Sequence, residues 1–461
     1  MARSKSQYIC QECGAVHSKW SGKCSQCNSW NSITEETVTA TPGAAGKARG
    51  SQINMHKLVG DTAPPPRIST GIPEVDRVLG GGLVPGSATL IGGDPGIGKS
   101  TLLLQTLCKM AVSGHEAAYF SGEESVEQIR MRGSRLGLAT NDMPLGLATS
   151  TNAADITASL HTAQPVAVAV IDSIQTMFLP SIESSPGTVS QVRASAFELI
   201  RAAKLKGAAI IIVGHVTKDG AIAGPKVLEH MVDTVLHFDP PPPPPPPPPR
   251  CIKNRFGPTD EIGVFEMKGS GLAEVTNPSE LFLADRQENV SGAVVFAGLE
   301  GTRPILVEIQ ALVAPSTMAN PRRNVVGWDQ GRLSMLAAVL EARGGIPLSG
   351  RDIFLNVAGG VKITEPAADL AVAAALISSM SGLPCPRSCV VFGEVGLAAE
   401  TRRVAHPDLR LKEAAKLGFD QAILPPAKAR DITAPDGIAL NYVADLGQLI
   451  AALGGLKDNS R

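Results

Sequence analysis

A glycine-rich segment that follows a short apolar run constrains this chain more than any other feature. The run covers residues 88–91, and the segment reads GDPGIGKST over residues 93–101. It matches the G-x4-G-K-[ST] pattern of a phosphate-binding loop, in which backbone N–H groups at the start of a helix surround the phosphates. The pattern predicts a strand, a P-loop and a helix over 100–110, and with them a nucleoside triphosphate site. The expected nucleotide-binding residues are Gly93, Asp94, Pro95, Gly96, Ile97, Gly98, Lys99, Ser100 and Thr101.

Two side chains of this loop have defined chemical roles. Lys99 reaches the outer phosphates, and Ser100 is a ligand of Mg²⁺. The water shell of the metal also needs an acid, and the apolar run 166–171 delivers Asp172 to the end of a buried strand. The alternative for Asp172 is the cap of the next helix, a role for which Ser173 is equally suited.

Hydrolysis also requires a carboxylate that polarises the attacking water. The segment YFSGEES, residues 119–125, places two glutamates at the end of a neighbouring strand. Glu123 is the carboxylate predicted to act on this water, although adjacent acids are also typical of a solvated turn or a first helical turn. A third strand, over 210–213, leads to His215, where a polar group is placed to sense the γ-phosphate. A structural role is the alternative for this lone histidine.

The cysteines near the N-terminus form a second pattern, made of two C-x2-C pairs separated by ten residues. Two such pairs bring four thiolates to one tetrahedral Zn²⁺, and this segment has too little apolar mass to fold without a staple. We expect a structural zinc finger, with a redox or disulfide set as the alternative. Its ligands are Cys10, Cys13, Cys24 and Cys27. The four cysteines outside these C-x2-C pairs should be small, buried side chains that bind no metal, namely Cys108, Cys251, Cys385 and Cys389.

Composition narrows the class of protein. The chain has 461 residues, of which 43% are hydrophobic, and a formal net charge of −1. No apolar stretch reaches the roughly 20 residues of a membrane span, and the N-terminus has no apolar signal core. We therefore expect a cytoplasmic protein with no membrane partner. Short basic clusters permit nucleic-acid binding without requiring it.

The chain divides into four segments. Residues 1–33 form the zinc finger, and residues 34–66, rich in Thr, Ala, Gly, Ser and Pro, should be a flexible linker. Over 67–276, β-branched runs alternate with helical patterns, which is typical of a parallel α/β sheet. The pattern restarts over 277–461 and predicts a second, α+β domain. The proline run 240–249 lacks backbone donors and should lie outside any sheet.

Together these motifs resemble the bacterial RadA (Sms) DNA-repair ATPases over nearly the whole chain. The resemblance depends on the four-cysteine finger, GGDPGIGKST, YFSGEES, VIDSIQT and the segment KNRFG over 253–257. It implies a RecA-like P-loop core and a C-terminal domain similar to the proteolytic domain of Lon. In such a protein Lys99, Ser100, Asp172 and Glu123 bind and cleave ATP, while Lys253 and Arg255 act across a subunit boundary. Two cations separated by one residue on a strand face the same side, which suits contact with a neighbour's phosphates or with DNA; a solvated basic strand is the alternative. The proline run departs from the family, which has a basic, strand-forming segment there.

The resemblance implies a DNA-dependent ATPase that forms a hexameric ring and travels on single-stranded DNA. Such a motor drives branch migration of recombination intermediates, so its partners are single-stranded and branched DNA and the RecA recombinase. Its cofactors are ATP, Mg²⁺ and Zn²⁺. One alternative is an ATP-switched scaffold that recruits recombination proteins through its zinc finger.

A Lon-type protease is a further alternative that the residues disfavour. The segment 363–376 resembles the stretch of Lon that carries the nucleophilic serine, but Ala367 occupies that position. The stretch 403–410, where the lysine of Lon is expected, reads RVAHPDLR and contains no lysine. Without a nucleophile and a base, acyl transfer cannot begin.

The surface of the finger allows two interpretations. Its basic and aromatic residues suit stacking and charge pairing with a nucleic acid, but small tethered zinc modules also dock on proteins. The resemblance favours protein contact, with RecA as the partner. The residues concerned are Lys19, Trp20, Lys23 and Trp30.

Overall fold

A computed structural model divides the chain into two compact units. Among the described residues, the first unit runs to Glu274 and the second begins at Val275. Among the helices of the described residues, none has the length and apolarity that crossing a membrane requires. The structure describes residues 5–10, 15–26, 28–38, 65–138, 143–161, 166–214, 227–238, 249–259, 261–275, 277–283, 289–318, 320–427 and 432–454.

Three short antiparallel strands form the N-terminal module. They are β1 (Lys5–Cys10), β2 (Val16–His17) and β3 (Ile33–Val38), in the order β2-β1-β3. Strand β3 pairs with β1 along its whole length, so the linker expected from residue 34 begins no earlier than residue 39. The described core of the module consists mainly of Cys10, Cys24 and Ile33. A core of this size is far smaller than a domain without a metal needs.

A seven-stranded sheet with helices on both faces forms most of the first unit. Its elements in chain order are α1 (Pro73–Val78), β4 (Ala88–Gly93), α2 (Lys99–Val112), β5 (Ala117–Ser121), α3 (Val126–Arg135), β6 (Leu145–Thr149), α4 (Ala153–Leu160), β7 (Val168–Asp172), α5 (Val189–Lys206), β8 (Ala209–Val213), α6 (Val227–Met231), β9 (Thr234–Phe238) and β10 (Pro249–Asn254). The strand order is β10-β9-β4-β8-β7-β5-β6. Every pairing is parallel except that of β10 with β9. A separate hairpin follows, made of β11 (Phe265–Lys268) and β12 (Gly271–Glu274).

The central strands are apolar runs because helices cover both of their faces. Strands β4, β5, β7 and β8 are buried at every residue. One face packs on α2 and the other on α5. This arrangement confirms the parallel α/β sheet that the sequence predicts, and the strands predicted over 88–91, 166–171 and 210–213 agree with the observed ones to within two residues.

The edge strand β10 corrects one expectation about the proline run. Pro249 is the first residue of β10 and pairs with Phe238, although the sequence places the whole run outside any sheet. A proline is accommodated there because the first residue of an edge strand need not donate to a neighbour. The other prolines of the run, residues 240–248, lie outside the described residues.

A second seven-stranded sheet organises the second unit. Its elements in chain order are α7 (Pro278–Leu283), β13 (Ala293–Glu300), β14 (Arg303–Pro315), β15 (Arg323–Val326), α8 (Gln330–Gly344), β16 (Arg351–Val357), α9 (Asp369–Ser381), β17 (Cys389–Val391), β18 (Glu394–Val395), β19 (Thr401–Arg402), α10 (Pro407–Lys416), β20 (Gln421–Leu424), β21 (Ala439–Tyr442) and α11 (Leu446–Ala452). The order β15-β16-β14-β13-β17-β20-β21 combines parallel and antiparallel pairs. Strands β18 and β19 form a small sheet of their own.

Helix α9 is buried along most of its length, and two ion pairs flank its start. The preceding 3-10 turn contains Ala367, which is 2% exposed. Arg332 binds both carboxylate oxygens of the fully buried Asp369, at 2.5 and 2.6 Å. Arg410, 1% exposed, binds both oxygens of Glu365, at 3.1 and 2.6 Å. The polar groups around this turn therefore neutralise each other.

Removal of Arg410 should destabilise the second unit. Arg410→Met leaves Glu365 without its cation in a largely buried site, and loss of one partner of such a pair costs roughly 3–5 kcal/mol. Hydrogen–deuterium exchange of the full chain should become faster in β13, α9 and α10 while β4 and β8 keep their rates. Arg402→Met is the matched control, because its exposed pair with Glu400 contributes little. Equal exchange in the two variants would contradict the prediction.

Candidate functional site

The predicted P-loop connects the carboxyl end of β4 to the first turn of α2. Strand β4 ends at Gly93, and α2 begins at Lys99, one residue before the predicted start. Gly93 has a φ of 151°, and a Cβ atom there would lie 2.7 Å from the Cβ of Phe238. Only glycine fits this position, because β9 passes directly beside the loop.

Lys99 lies within the loop and is only 5% exposed. Its ammonium donates to the backbone carbonyl oxygens of Gly93 at 2.6 Å and Asp94 at 2.8 Å. Burial lowers the pKa of Lys99 below its ordinary value, and the carboxylates of Asp172, Asp94 and Glu123 oppose this shift. The loop therefore holds a buried cation at the point where the pattern predicts contact with phosphate.

Asp172 is the last residue of β7 and is 8% exposed. Its Oδ2 accepts a hydrogen bond of 2.5 Å from the hydroxyl of Tyr119, and the side chain of Ser100 lies close enough to this hydroxyl to affect its pKa. Burial, together with the negative charge of Asp172, raises the pKa of Tyr119, so the phenol stays a donor. The 3-10 turn after β7, Ile174–Thr176, has no side-chain cap, so the structure does not use Asp172 as a helix cap.

Tyr119 has no role in the sequence prediction, although it belongs to the motif YFSGEES. It is 1% exposed and lies in a strand that is buried at every residue. A buried phenol hydroxyl needs a hydrogen-bond partner. This requirement is the feature of the sequence that could have drawn attention to Tyr119.

The two adjacent acids after β5 have different partners. Oε1 of Glu123, an exposed residue, accepts a hydrogen bond of 2.5 Å from the buried hydroxyl of Ser173. Glu124 is paired with Arg132 of α3. Because Glu123 lies close enough to affect the pKa of Lys99, the structure brings Glu123 to the P-loop and engages Glu124 in a salt bridge.

Lys253 and Arg255 converge on the segment that precedes β9. Lys253 lies in β10, and its ammonium donates to the carbonyl oxygens of Glu229 at 2.5 Å and Val232 at 2.8 Å. Arg255 lies one residue beyond the end of β10, not on the strand as predicted, and pairs with Asp233 at 3.0 Å. The two cations share one side of the sheet edge, although a bulge interrupts the strand between Cys251 and Lys253.

The strand register places these cations far from the P-loop of their own chain. In the parallel pair β4–β9, Phe238 lies opposite Gly93, at the edge where the P-loop begins. Strand β10 runs the other way and brings Lys253 opposite Val235. At about 3.3 Å per residue, Lys253 and Arg255 lie about 10–16 Å further back along the strands. They therefore lie towards the end of the sheet at which β4 and β9 begin, opposite to the end that carries the P-loop.

Cys10 and Cys24 occupy equivalent turns of the N-terminal module. The N–H of Cys10 donates to the carbonyl of Ala15 and that of Cys24 to the carbonyl of Ser29, both at 2.9 Å. Both thiols are fully buried, and the N–H of Gln26 donates to Cys24 Sγ. Paired turns of this kind fit a zinc site with two ligands from each turn. Three predicted site residues lie outside the described residues: Cys13, Cys27 and His215.

The cysteines that the sequence assigns no metal are buried, as expected. They are Cys108, Cys251, Cys385 and Cys389.

Comparison with known proteins identifies two domain families. The AAA domain family matches residues 62–221, and the rubredoxin metal binding domain family matches residues 8–35. The chain therefore carries a zinc ribbon near its N-terminus and an ATPase domain of the AAA type.

Whole-length relatives cover nearly all of the chain. It is 53% identical to the DNA repair protein RadA of Brucella abortus, over 99% of this chain and 100% of that protein. It is 52% identical to that of Pseudomonas aeruginosa over 98% of this chain, and 47% identical to that of Bacillus subtilis over 99%. Both alignments cover 100% of the relative.

Replacement of each of the adjacent acids should separate their roles. Glu123→Gln keeps the size of the side chain but removes the base, so the rate of ATP hydrolysis should fall by roughly 10²–10⁴-fold. Binding of a fluorescent ATP analogue should be retained. Glu124→Gln is the matched control and should affect phosphate release much less, because Glu124 pairs with Arg132. A larger loss in Glu124→Gln than in Glu123→Gln would reverse the assignment.

Proposed function

Because this chain belongs to the RadA family of bacterial DNA repair proteins, we propose that its ATPase domain is a ring-forming motor that works on DNA. The family and the AAA domain make the chain a DNA repair ATPase. The proposal adds that single-stranded DNA stimulates the ATPase, and that hydrolysis drives branch migration of recombination intermediates together with RecA in the cytoplasm. The placement of Lys253 and Arg255 at the sheet edge opposite the P-loop is the observation that carries it.

We assign ATP hydrolysis to residues at the carboxyl ends of β4, β5 and β7. Lys99 binds the outer phosphates, and Ser100 and Asp172 hold the metal, for which we propose Mg²⁺. When bound, this ion neutralises charge that develops on the phosphates. Glu123 takes a proton from the attacking water, and the hydrogen bond from Ser173 fixes the orientation of its carboxylate.

The position of Lys253 and Arg255 supports the proposal that a neighbouring subunit completes the site. Cations at the edge opposite to their own P-loop are suited to reach the nucleotide of the next copy in a ring. Such a cation stabilises the charge of the transferring phosphoryl group only when the neighbour is in place. Hydrolysis in this arrangement depends on assembly, for which we propose a hexamer.

The second unit is proposed to be similar to the proteolytic domain of Lon but without peptidase activity. Ala367 has no nucleophilic atom and is buried at the start of α9. The nearby cation, Arg410, is bound by Glu365, and a guanidinium cannot serve as a general base because it does not lose its proton. We assign this unit to ring assembly and DNA contact.

The zinc module is proposed to contact RecA. Trp20 is 58% exposed and Trp30 is 71% exposed, while the Lys23 ammonium lies 5.5 Å from the ring centre of Trp30. Large exposed aromatic side chains are enriched at protein interfaces, although they also stack on nucleic-acid bases.

The scaffold alternative differs from the motor only in the use of ATP, which would then act as an assembly switch.

Single-stranded DNA should accelerate ATP hydrolysis by the full chain. Phosphate release with and without an oligonucleotide at low salt measures the effect, and Lys99→Ala should abolish it. Lys99→Ala should also abolish movement of a labelled DNA branch. Binding of DNA without any change in the hydrolysis rate would favour the scaffold over the motor.

Two inactive variants should restore each other if the site forms between subunits. Lys99→Ala cannot hydrolyse its own nucleotide, and the double variant Lys253→Ala/Arg255→Ala cannot complete the site of a neighbour. Mixed rings contain some sites in which both sets are intact, so the mixture should exceed the mean ATPase rate of its components. Lys268→Ala, at an exposed lysine paired with Glu266, is the control and should keep the wild-type rate. A mixture at the mean rate would contradict action across the boundary.

A further inference from the structure

One buried hydroxyl joins the two motifs that are assigned to the metal. Tyr119 donates to Asp172 at the end of β7, and its hydroxyl lies near the side chain of Ser100 in the first turn of α2. We propose that Tyr119 is a positioning residue, which holds Asp172 beside Ser100 in the geometry required by the nucleotide-bound metal. This inference rests on the proposed function, because it takes Ser100 and Asp172 as the residues that hold the ion.

The sheet register explains how a residue of β5 reaches both motifs. Strand β5 pairs with β7, and Tyr119 lies opposite Val170, two residues before Asp172. Since side chains alternate along a strand, Tyr119 and Asp172 share the face of the sheet that α2 covers. The first turn of α2 carries Ser100 above this face.

The neighbouring residues on this face of β5 do not duplicate the contact. Ala117 has no polar atom. Ser121 lies opposite Asp172, but its hydroxyl oxygen accepts hydrogen bonds from the backbone N–H groups of Glu123 and Glu124. Tyr119 thus supplies a side-chain donor from β5 to the carboxylate.

The environment of Tyr119 makes the contact rigid. Its ring is 1% exposed and packs in the apolar layer between the sheet and α2, the layer that also contains Leu103 and Leu107. Only the hydroxyl reaches the polar site. A phenol held in this way fixes the rotation of the Asp172 carboxylate, so that its second oxygen keeps one direction. Preorganisation of a ligand lowers the amount of ordering that metal binding requires.

Tyr119→Phe tests the proposal because it removes one oxygen atom and keeps the ring in its layer. The Mg²⁺ concentration for half-maximal binding of a fluorescent ADP analogue should rise about tenfold, as expected for one lost hydrogen bond to a charged group. Binding of the analogue in EDTA should stay at the wild-type affinity, because Lys99 and the loop N–H groups do not depend on this hydroxyl. The thermal unfolding midpoint checks that the variant is folded.

Three reference variants define the result. Tyr442→Phe removes a phenol from a half-exposed position in the second unit and should keep the wild-type Mg²⁺ dependence. Asp172→Asn and Ser100→Ala should both raise the Mg²⁺ concentration that half-maximal binding of the analogue requires. If these two variants respond and Tyr119→Phe does not, the inference fails while the proposed metal site stands. If Asp172→Asn, Ser100→Ala and Tyr119→Phe all keep the wild-type Mg²⁺ dependence, the metal site itself fails. An equal loss of binding in Tyr119→Phe with Mg²⁺ and with EDTA would also overturn the inference.

A second measurement needs no substitution at Tyr119. The chain contains three tyrosines, so labelling with 3-fluorotyrosine gives three ¹⁹F signals, which Tyr8→Phe and Tyr442→Phe assign by elimination. ADP with Mg²⁺ should shift the Tyr119 signal more than ADP in EDTA does. Equal shifts under both conditions would show that the hydroxyl does not sense the metal.

Discussion

Parallel pairing within one sheet is the constraint on which the nucleotide site depends. Strands β4, β5 and β7 all end at the same edge, so residues from three separate segments meet there. The P-loop follows β4, Glu123 follows β5 and Asp172 ends β7. Helix layers on both faces remove water from the strands and leave their carboxyl ends accessible. The chemistry is thus located by backbone hydrogen bonds between strands that are far apart in sequence.

The two units use buried charge in opposite ways. In the first unit, Lys99 is bound by carbonyl oxygens of its own loop, and the carboxylates of Asp172, Asp94 and Glu123 lie close enough to oppose the lowering of its pKa by burial. In the second unit, one arginine binds both carboxylate oxygens of Glu365, and another arginine binds both oxygens of Asp369. Charges that satisfy each other stabilise a fold but contribute little to catalysis. The comparison explains why burial alone does not identify an active site.

The sequence predicted the elements of the ATPase sheet well, because strands covered on both faces are continuous apolar runs and a P-loop has fixed spacing. It did not predict the role of Tyr119, which depends on the pairing of β5 with β7. It also placed Arg255 on a strand and excluded Pro249 from one, since local composition does not show where an edge strand begins or ends. The antiparallel return of β10, which separates Lys253 from its own P-loop, is likewise a property of non-local pairing.

The contacts of Arg255 and Lys253 differ in a way that matters for the proposed ring. Asp233 also accepts a hydrogen bond from the N–H of Ala88 at 3.0 Å and lies 3.6 Å from the ammonium of Lys204. Arg255 can therefore leave Asp233 without stranding a buried carboxylate, which would otherwise be costly. The Arg255 side chain is also 52% exposed, whereas Lys253 is held by two carbonyl oxygens near the end of α6. The contacts of Arg255 therefore hold it less firmly than those of Lys253, whose ammonium would have to leave both carbonyl oxygens to reach a neighbour's phosphate.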